Sequence, residues 1–243
     1  MKIDKSLMAL FQSNQPGRVL RELHENGWLE KNIPELNALY GVPQKADHHP
    51  EVDTGRHIEL CLDQAAMFGA QARVRWAVML HDLGKGITPK DQWPAHINHE
   101  RTGLALVHAV NERFHAPPTF LELSMAVCEN HLHLHRAFVM RSSSVNKLIR
   151  KLNFEASSEF LADFVLACRC DATGRLGKSH ARYRQGAFII GCATELRKYP
   201  MKTDTPEANK ESAERYNQRL NAIRLMRKIH DTNIGKEKTT SYI

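Results

Sequence analysis

Residues 76–86 read WAVMLHDLGKG. Five apolar residues run directly into adjacent His81 and Asp82, and Gly84, Lys85 and Gly86 follow after Leu83. The spacing predicts a helix over 72–82, with Ala77, Val78 and His81 on one face and Gly84 as the terminator. Such a helix carries a histidine and a carboxylate at its greasy end. Burying both is costly unless something cationic satisfies them.

Helical spacing recurs outward from this segment in both directions. The periodicity predicts helices over 18–29 (stopped by Gly27), 57–68, 97–114, 119–131 after Pro117-Pro118, 142–152 behind a serine cap, and 157–170. A further helix is expected over 205–230, where Thr205, Pro206 and Glu207 supply a cap, a first-turn proline and an acidic first turn. Strand signals are nearly absent, since no stretch sustains a period of two and no Asn-Gly turn joins β-branched runs. The fold class expected is therefore all-α, a helical bundle with a divalent-metal site between helices. One domain is expected over 1–204, an appended helix over 205–230 and a disordered tail over 231–243. Segments 41–56, 83–96 and 173–186 are rich in Gly, Pro and charge and read as loops around a site.

Bulk composition excludes several classes. A mean hydropathy of −0.46 and the lack of any run near the ~18 apolar residues of a spanning helix argue against a membrane protein. Asp4 and Lys5 interrupt the region where a secretory leader would be apolar. The five cysteines, Cys61, Cys128, Cys168, Cys170 and Cys192, are odd in number and scattered through apolar stretches. They read as buried thiols in a reducing cytoplasm rather than as a disulfide framework or zinc ribbon. A net charge of +7 leans toward a polyanionic partner such as RNA or nucleotides.

The fourteen histidines decide more than the charge does, because they cluster. His57 and His81 each fall on an apolar helical face, and Asp171 continues the stripe Phe160, Leu161, Phe164, Val165, Cys168. Singly, each has an ordinary explanation as a hydrogen-bonded core residue or a helix-end oddity. Together with His99 and His131 they make an ordered set on separate helices. Imidazole plus carboxylate suits Mn, Fe, Co, Ni or Zn.

The order His57, His81-Asp82, Asp171, with HDLGK at 81–85, resembles the HD superfamily of metal-dependent phosphohydrolases. Over roughly residues 10–190, blocks including HPEVDTGRH (49–57), HDLGKG (81–86), NHERTG (98–103) and CRCDATGRLG (168–177) resemble the C-terminal HD region of bacterial CCA-adding tRNA nucleotidyltransferases. The chain opens with Met just upstream of that region, so the nucleotidyltransferase head and CCA addition are expected to be missing from it.

The resemblance implies hydrolysis of 2′,3′-cyclic phosphates, 2′-nucleotides and other phosphomonoesters, on RNA or tRNA 3′ ends or on nucleotides. It implies one or two ions of Ni, Mn, Co or Mg, held by His57, His81, Asp82 and Asp171. His99 and His131 stand as further metal ligands or as phosphate contacts, and either is a candidate proton donor to the leaving oxygen. His81, Asp82, Lys85, His99 and His131 form the candidate catalytic set. Lys85 and Arg175 are candidate phosphate contacts, and His96 is a looser one. Glu51 and Asp53 read as loop structure, and His49, His133 and His135 receive no role. Two other readings stay open: an HD hydrolase of free nucleotides such as a dNTP or cyclic dinucleotide, and a non-catalytic tRNA-binding module.

Overall fold

A computed structural model describes residues 5–201 and 210–240. Twelve α-helices occur among them. They are α1 (Lys5–Gln12), α2 (Pro16–Glu25), α3 (Trp28–Asn32), α4 (Pro34–Asn37), α5 (Thr54–Met67), α6 (Ala72–Leu80), α7 (His99–Arg113), α8 (Pro118–His135), α9 (Ser142–Lys151), α10 (Ser158–Thr173), α11 (Arg184–Leu196) and α12 (Lys210–Thr240). No strand occurs among the described residues beyond a single Pro43–Asp53 bridge, so the protein is all-α. No described helix is long and apolar enough to cross a membrane.

The described residues divide between two compact units, one drawn from 1–132 and 163–183 and the other from 133–162 and 184–243. In the first, α5 packs on α2 and α6. Every residue of α6 from Val74 to Leu80 is buried. The Trp76–Leu80 run is apolar on all sides and belongs in a core, and each buried Val, Leu or Met there contributes roughly 1.5–3 kcal/mol. Trp76 is fully enclosed, and its indole N–H donates to Asn111 Oδ1 at 3.0 Å. α6 thus delivers His81, its C-cap residue, to the middle of the unit.

The chain leaves α6 at Leu80 and tightens into a 3₁₀ turn, Leu83–Ile87. Gly84 is therefore not the helix terminator its sequence position suggests. A Cβ there would lie 2.0 Å from the His99 carbonyl oxygen and 2.8 Å from Gly103 N. Glycine is required because this turn presses onto the first turn of α7, which brings His99 beside His81 and Asp82.

In the second unit α12 packs on α9 and α11. Phe188, Ile189, Cys192 and Leu196 of α11 and Ile223 of α12 are buried. α11, which no sequence signal above marked, is the helix on which α12 packs most closely. The helix backbone also continues beyond 230 to Thr240, through residues expected in the tail. The cap expected at Thr205-Pro206-Glu207 and residues 241–243 lie outside the described residues. The serine cap expected for α9 is not formed: Arg141 is the N-cap and Ser142 the first helical residue.

Candidate metal centre

Six side chains from five helical segments of the first unit converge. His57 comes from α5, His81 and Asp82 from the end of α6, His99 from the start of α7, His131 from α8 and Asp171 from α10. All six are buried. His57 Nε2 lies 3.1 Å from Asp171 Oδ1, and His81 Nε2 lies 3.2 Å from Asp82 Oδ2 and 3.9 Å from Asp171 Oδ2. The other Asp82 oxygen, Oδ1, faces His99 Nε2 at 3.3 Å and His131 Nε2 at 3.7 Å.

Three of the histidines are oriented by one device. Nδ1 of His81 sits 2.8 Å from Val78 O, Nδ1 of His99 2.9 Å from His96 O, and Nδ1 of His131 3.1 Å from Val127 O. Each carbonyl is three or four residues back in the chain. An Nδ1–H donating there leaves the Nε2 lone pair turned toward the carboxylates, the tautomer a metal ligand needs.

His81 Nε2, Asp82 Oδ1 and His99 Nε2 are buried without a well-aligned hydrogen bond. Buried polar atoms in this state are costly, and a divalent cation is the group that satisfies nitrogen and carboxylate donors together. Donors about 2.0–2.2 Å from a common ion lie roughly 3.0–3.5 Å apart, and most separations here are of that size. The residues fit the group: His57, His81, Asp82 and Asp171 offer a mixed N/O set suited to Mn, Co, Ni or Zn.

The electrostatics agree with a cation site. Burial pushes the Asp82 carboxyl up, yet the charges of His81 and Lys85 outweigh it and hold the group well below the usual carboxylate range. Burial drives His131 down to about 3, so its imidazole is neutral at physiological pH. His81 is also depressed by burial, but Asp82 and Asp171 raise it overall.

Lys85 is more deeply engaged than a loop lysine awaiting phosphate. It is 8% exposed, with Nζ donating to Asp82 Oδ2 at 2.6 Å and to Gln44 Oε1 at 2.5 Å. Arg175 Nη2 lies 3.5 Å from Asp171 Oδ1, and its Nε is buried without a partner. His96 has its Nε2 2.7 Å from Pro43 O, and its backbone carbonyl lies 2.9 Å from His99 Nδ1. His133 is exposed and His135 half-buried.

An HD domain family matches residues 54–173, the span from the start of α5 to the end of α10 that contains all six side chains. This chain carries an HD domain. It is 43% identical over 194 residues to the Multifunctional CCA protein of Pseudomonas fluorescens, covering 80% of this chain and 47% of that protein. It is 42% identical over 194 residues to that of Pseudomonas aeruginosa, with the same coverage. The Teredinibacter turnerae protein of the same name is 38% identical over 229 residues, 93% of this chain and 56% of its own length. The chain spans about half the length of the curated relatives it matches.

Two residues outside the expected set also reach the HD centre. Glu51, read from sequence as loop structure, has its side chain fully enclosed with Oε1 2.9 Å from His57 Nδ1. His49, given no role, has Nδ1 3.0 Å from the same oxygen and its ring edge-on to His57 at 4.6 Å. Their arrival depends on a closed turn: Gln44 N donates to Val52 O at 2.6 Å, and Val52 takes a left-handed φ of 58°. A β-branched residue in that region is strained, and no sequence pattern signals it. Asp53, by contrast, caps α5 by accepting from Arg56 N at 2.8 Å.

Proposed function

We propose that this chain is a metal-dependent phosphohydrolase acting on 2′,3′-cyclic phosphates, 2′-nucleotides and phosphomonoesters, at RNA or tRNA 3′ ends or on nucleotides. The observation that carries it is the placement of Asp82. One oxygen faces His81 and Lys85 and the other faces His99 and His131, an arrangement that serves one ion or two. The similarity to proteins named for CCA supports an RNA-end substrate, and the net charge of +7 agrees with a polyanionic one.

His57, His81, Asp82 and Asp171 would hold the ion, with His131 as a further neutral donor. A divalent cation bound there polarises phosphate oxygens and makes water a better nucleophile near neutral pH. Lys85 and Arg175 offset charge on the phosphate oxygens, Lys85 exchanging part of its hold on Asp82 for the substrate. His99, 6% exposed and the least enclosed of the four site histidines, acts in its imidazolium form, giving an Nε2 proton to the leaving 2′-oxygen while Nδ1–H stays on the His96 carbonyl. The five cysteines, all free and buried, take no part and suit a cytoplasmic setting.

The test is conversion of 2′,3′-cAMP to 3′-AMP, with p-nitrophenyl phosphate hydrolysis alongside, in Mn or Ni. Wild type should turn over and the His81→Ala/Asp82→Ala double variant should lose about 10³-fold or more. Equal rates for the two proteins on every phosphoester sink the proposal. Turnover confined to nucleoside triphosphates or cyclic dinucleotides moves it to the free-nucleotide reading. Salt-sensitive tRNA binding with no turnover leaves a binding module.

A further inference from the structure

Beside the six converging side chains lies a second cluster, His49, Glu51 and His57, with donor atoms close enough to suggest a metal of its own. The pairing argues otherwise, because each Glu51 oxygen already has a nitrogen donor. Glu51 Oε1 is 3.0 Å from His49 Nδ1 and 2.9 Å from His57 Nδ1, hydrogen-bond lengths between direct neighbours. The remaining carboxylate oxygen, Oε2, accepts from Leu176 N at 3.2 Å. Both oxygens are thus committed to donors. Burial pushes the carboxyl up, but the hydrogen bonds from His49 and His57 hold it well below the usual carboxylate range.

We propose that Glu51 is the positioning residue of the centre: its enclosed carboxylate holds His57 in the Nδ1–H tautomer and directs the Nε2 lone pair to the ion. His57 needs this more than its neighbours. His81, His99 and His131 each find a carbonyl in their own preceding turn, whereas the nearest backbone acceptor for His57 Nδ1 is Gly174 O, 3.0 Å away and 117 residues distant in sequence. Gly174 and Leu176 flank Arg175, so Glu51 also ties down the loop that carries a phosphate contact. A carboxylate behind a ligating imidazole raises its basicity as well as fixing its rotation, which a neutral carbonyl does less strongly. His49 completes the arrangement by covering one face of the His57 ring, and it is not itself a ligand.

This inference rests on the metal-dependent reading above, and two measurements keep the two separable. The first needs no metal: imidazole ¹⁵N spectra of the metal-free protein, with His57 assigned by comparison with His57→Gln. Wild type should show the Nδ1–H tautomer, Glu51→Ala a mixture of both, and Glu51→Gln, which keeps an oxygen acceptor, an intermediate spectrum. The second is calorimetric titration with Mn²⁺ or Ni²⁺ alone. Glu51→Ala should bind about 10–100-fold more weakly than wild type, with Glu51→Gln between them. His49→Ala should stay within about threefold of wild type, because it leaves Glu51 and His57 paired.

A folded Glu51→Ala protein, judged by its thermal melt in chelator, that keeps the wild-type tautomer and binds metal within about twofold overturns the proposal. If Glu51→Ala does not fold, Glu51→Gln carries the same comparison, and an unchanged tautomer and affinity there overturn it too. If wild type takes up no divalent metal, the functional reading falls, and the tautomer alone then decides the role of Glu51.

Discussion

Two buried polar clusters, one in each unit, solve the same problem in opposite ways. In the second unit Arg219 is fully enclosed and fully occupied. Its guanidinium pairs with both Glu155 oxygens at 2.7 and 2.8 Å and donates to Asn146 Oδ1 at 2.7 Å and Tyr199 O at 3.0 Å. In the first unit the histidines and aspartates are equally buried, yet His81 Nε2, Asp82 Oδ1 and His99 Nε2 keep no well-aligned partner. A cluster whose donors and acceptors match is closed and structural. One with surplus lone pairs aimed at a common point is built for a cation that the polypeptide does not supply.

That contrast can be broken by separating function from stability. Asp171→Asn removes a charge from the centre without changing its shape. Metal-dependent turnover should fall about 10³-fold, while the thermal midpoint in chelator should move by no more than about 2 °C, since the amide keeps the volume and an oxygen acceptor for the neighbours of Asp171, His57 at 3.1 Å and Arg175 at 3.5 Å. A large drop in that midpoint would mean the centre is a structural cluster after all.

Arg219→Ala tests the other side. It strands the Glu155 carboxylate and Asn146, and should cost about 3 kcal/mol in urea unfolding. Arg219→Met, which removes the charge but keeps most of the volume, should cost less than Arg219→Ala. Equal losses would show that packing, rather than charge satisfaction, dominates there.

The smallest effect sharpens the comparison at the surface. Glu35 receives a forked pair from Arg113, at 2.5 and 2.8 Å. Burial raises the Glu35 carboxyl, but the Arg113 bonds and charge win, and its folded pKa lies below the usual value. A depressed carboxylate stabilises the fold above its unfolded pKa, and the contribution disappears as pH falls through the folded one. Glu35→Gln should therefore be less stable than wild type by about 0.5 kcal/mol at pH 7, with the gap closing below about pH 4.5. Arg113 is 39% exposed, so solvent screening keeps the figure small. A gap that persists at pH 3 would assign the effect to packing.

What the sequence held about the centre was the part written in local periodicity. His57, His81 and Asp171 stand out because each occupies an apolar position on a helix, and the bounds recovered from spacing for α5 to α10 differ from the observed ones by at most four residues, whereas 18–29 breaks into α2 and α3 and the last helix runs ten residues past 230. Glu51 and His49 were not legible. They lie in an irregular stretch, and what makes them matter is a left-handed Val52 and a partner, Leu176, 125 residues away. The second unit was hidden for a related reason. Residues 184–196 begin in a stretch read as loop, and their packing on α12 is a long-range choice.

By itself, then, the sequence determined an all-α fold and a set of histidines and aspartates on the inner faces of its helices. A face is a property of every third or fourth residue, which needs no knowledge of neighbours. Only the tertiary structure decided which of those residues meet, that Gly84 serves the approach of α7 rather than the end of α6, and that Lys85 is bound to Asp82. Contacts between distant segments follow from how faces cover one another, and local spacing carries no record of that.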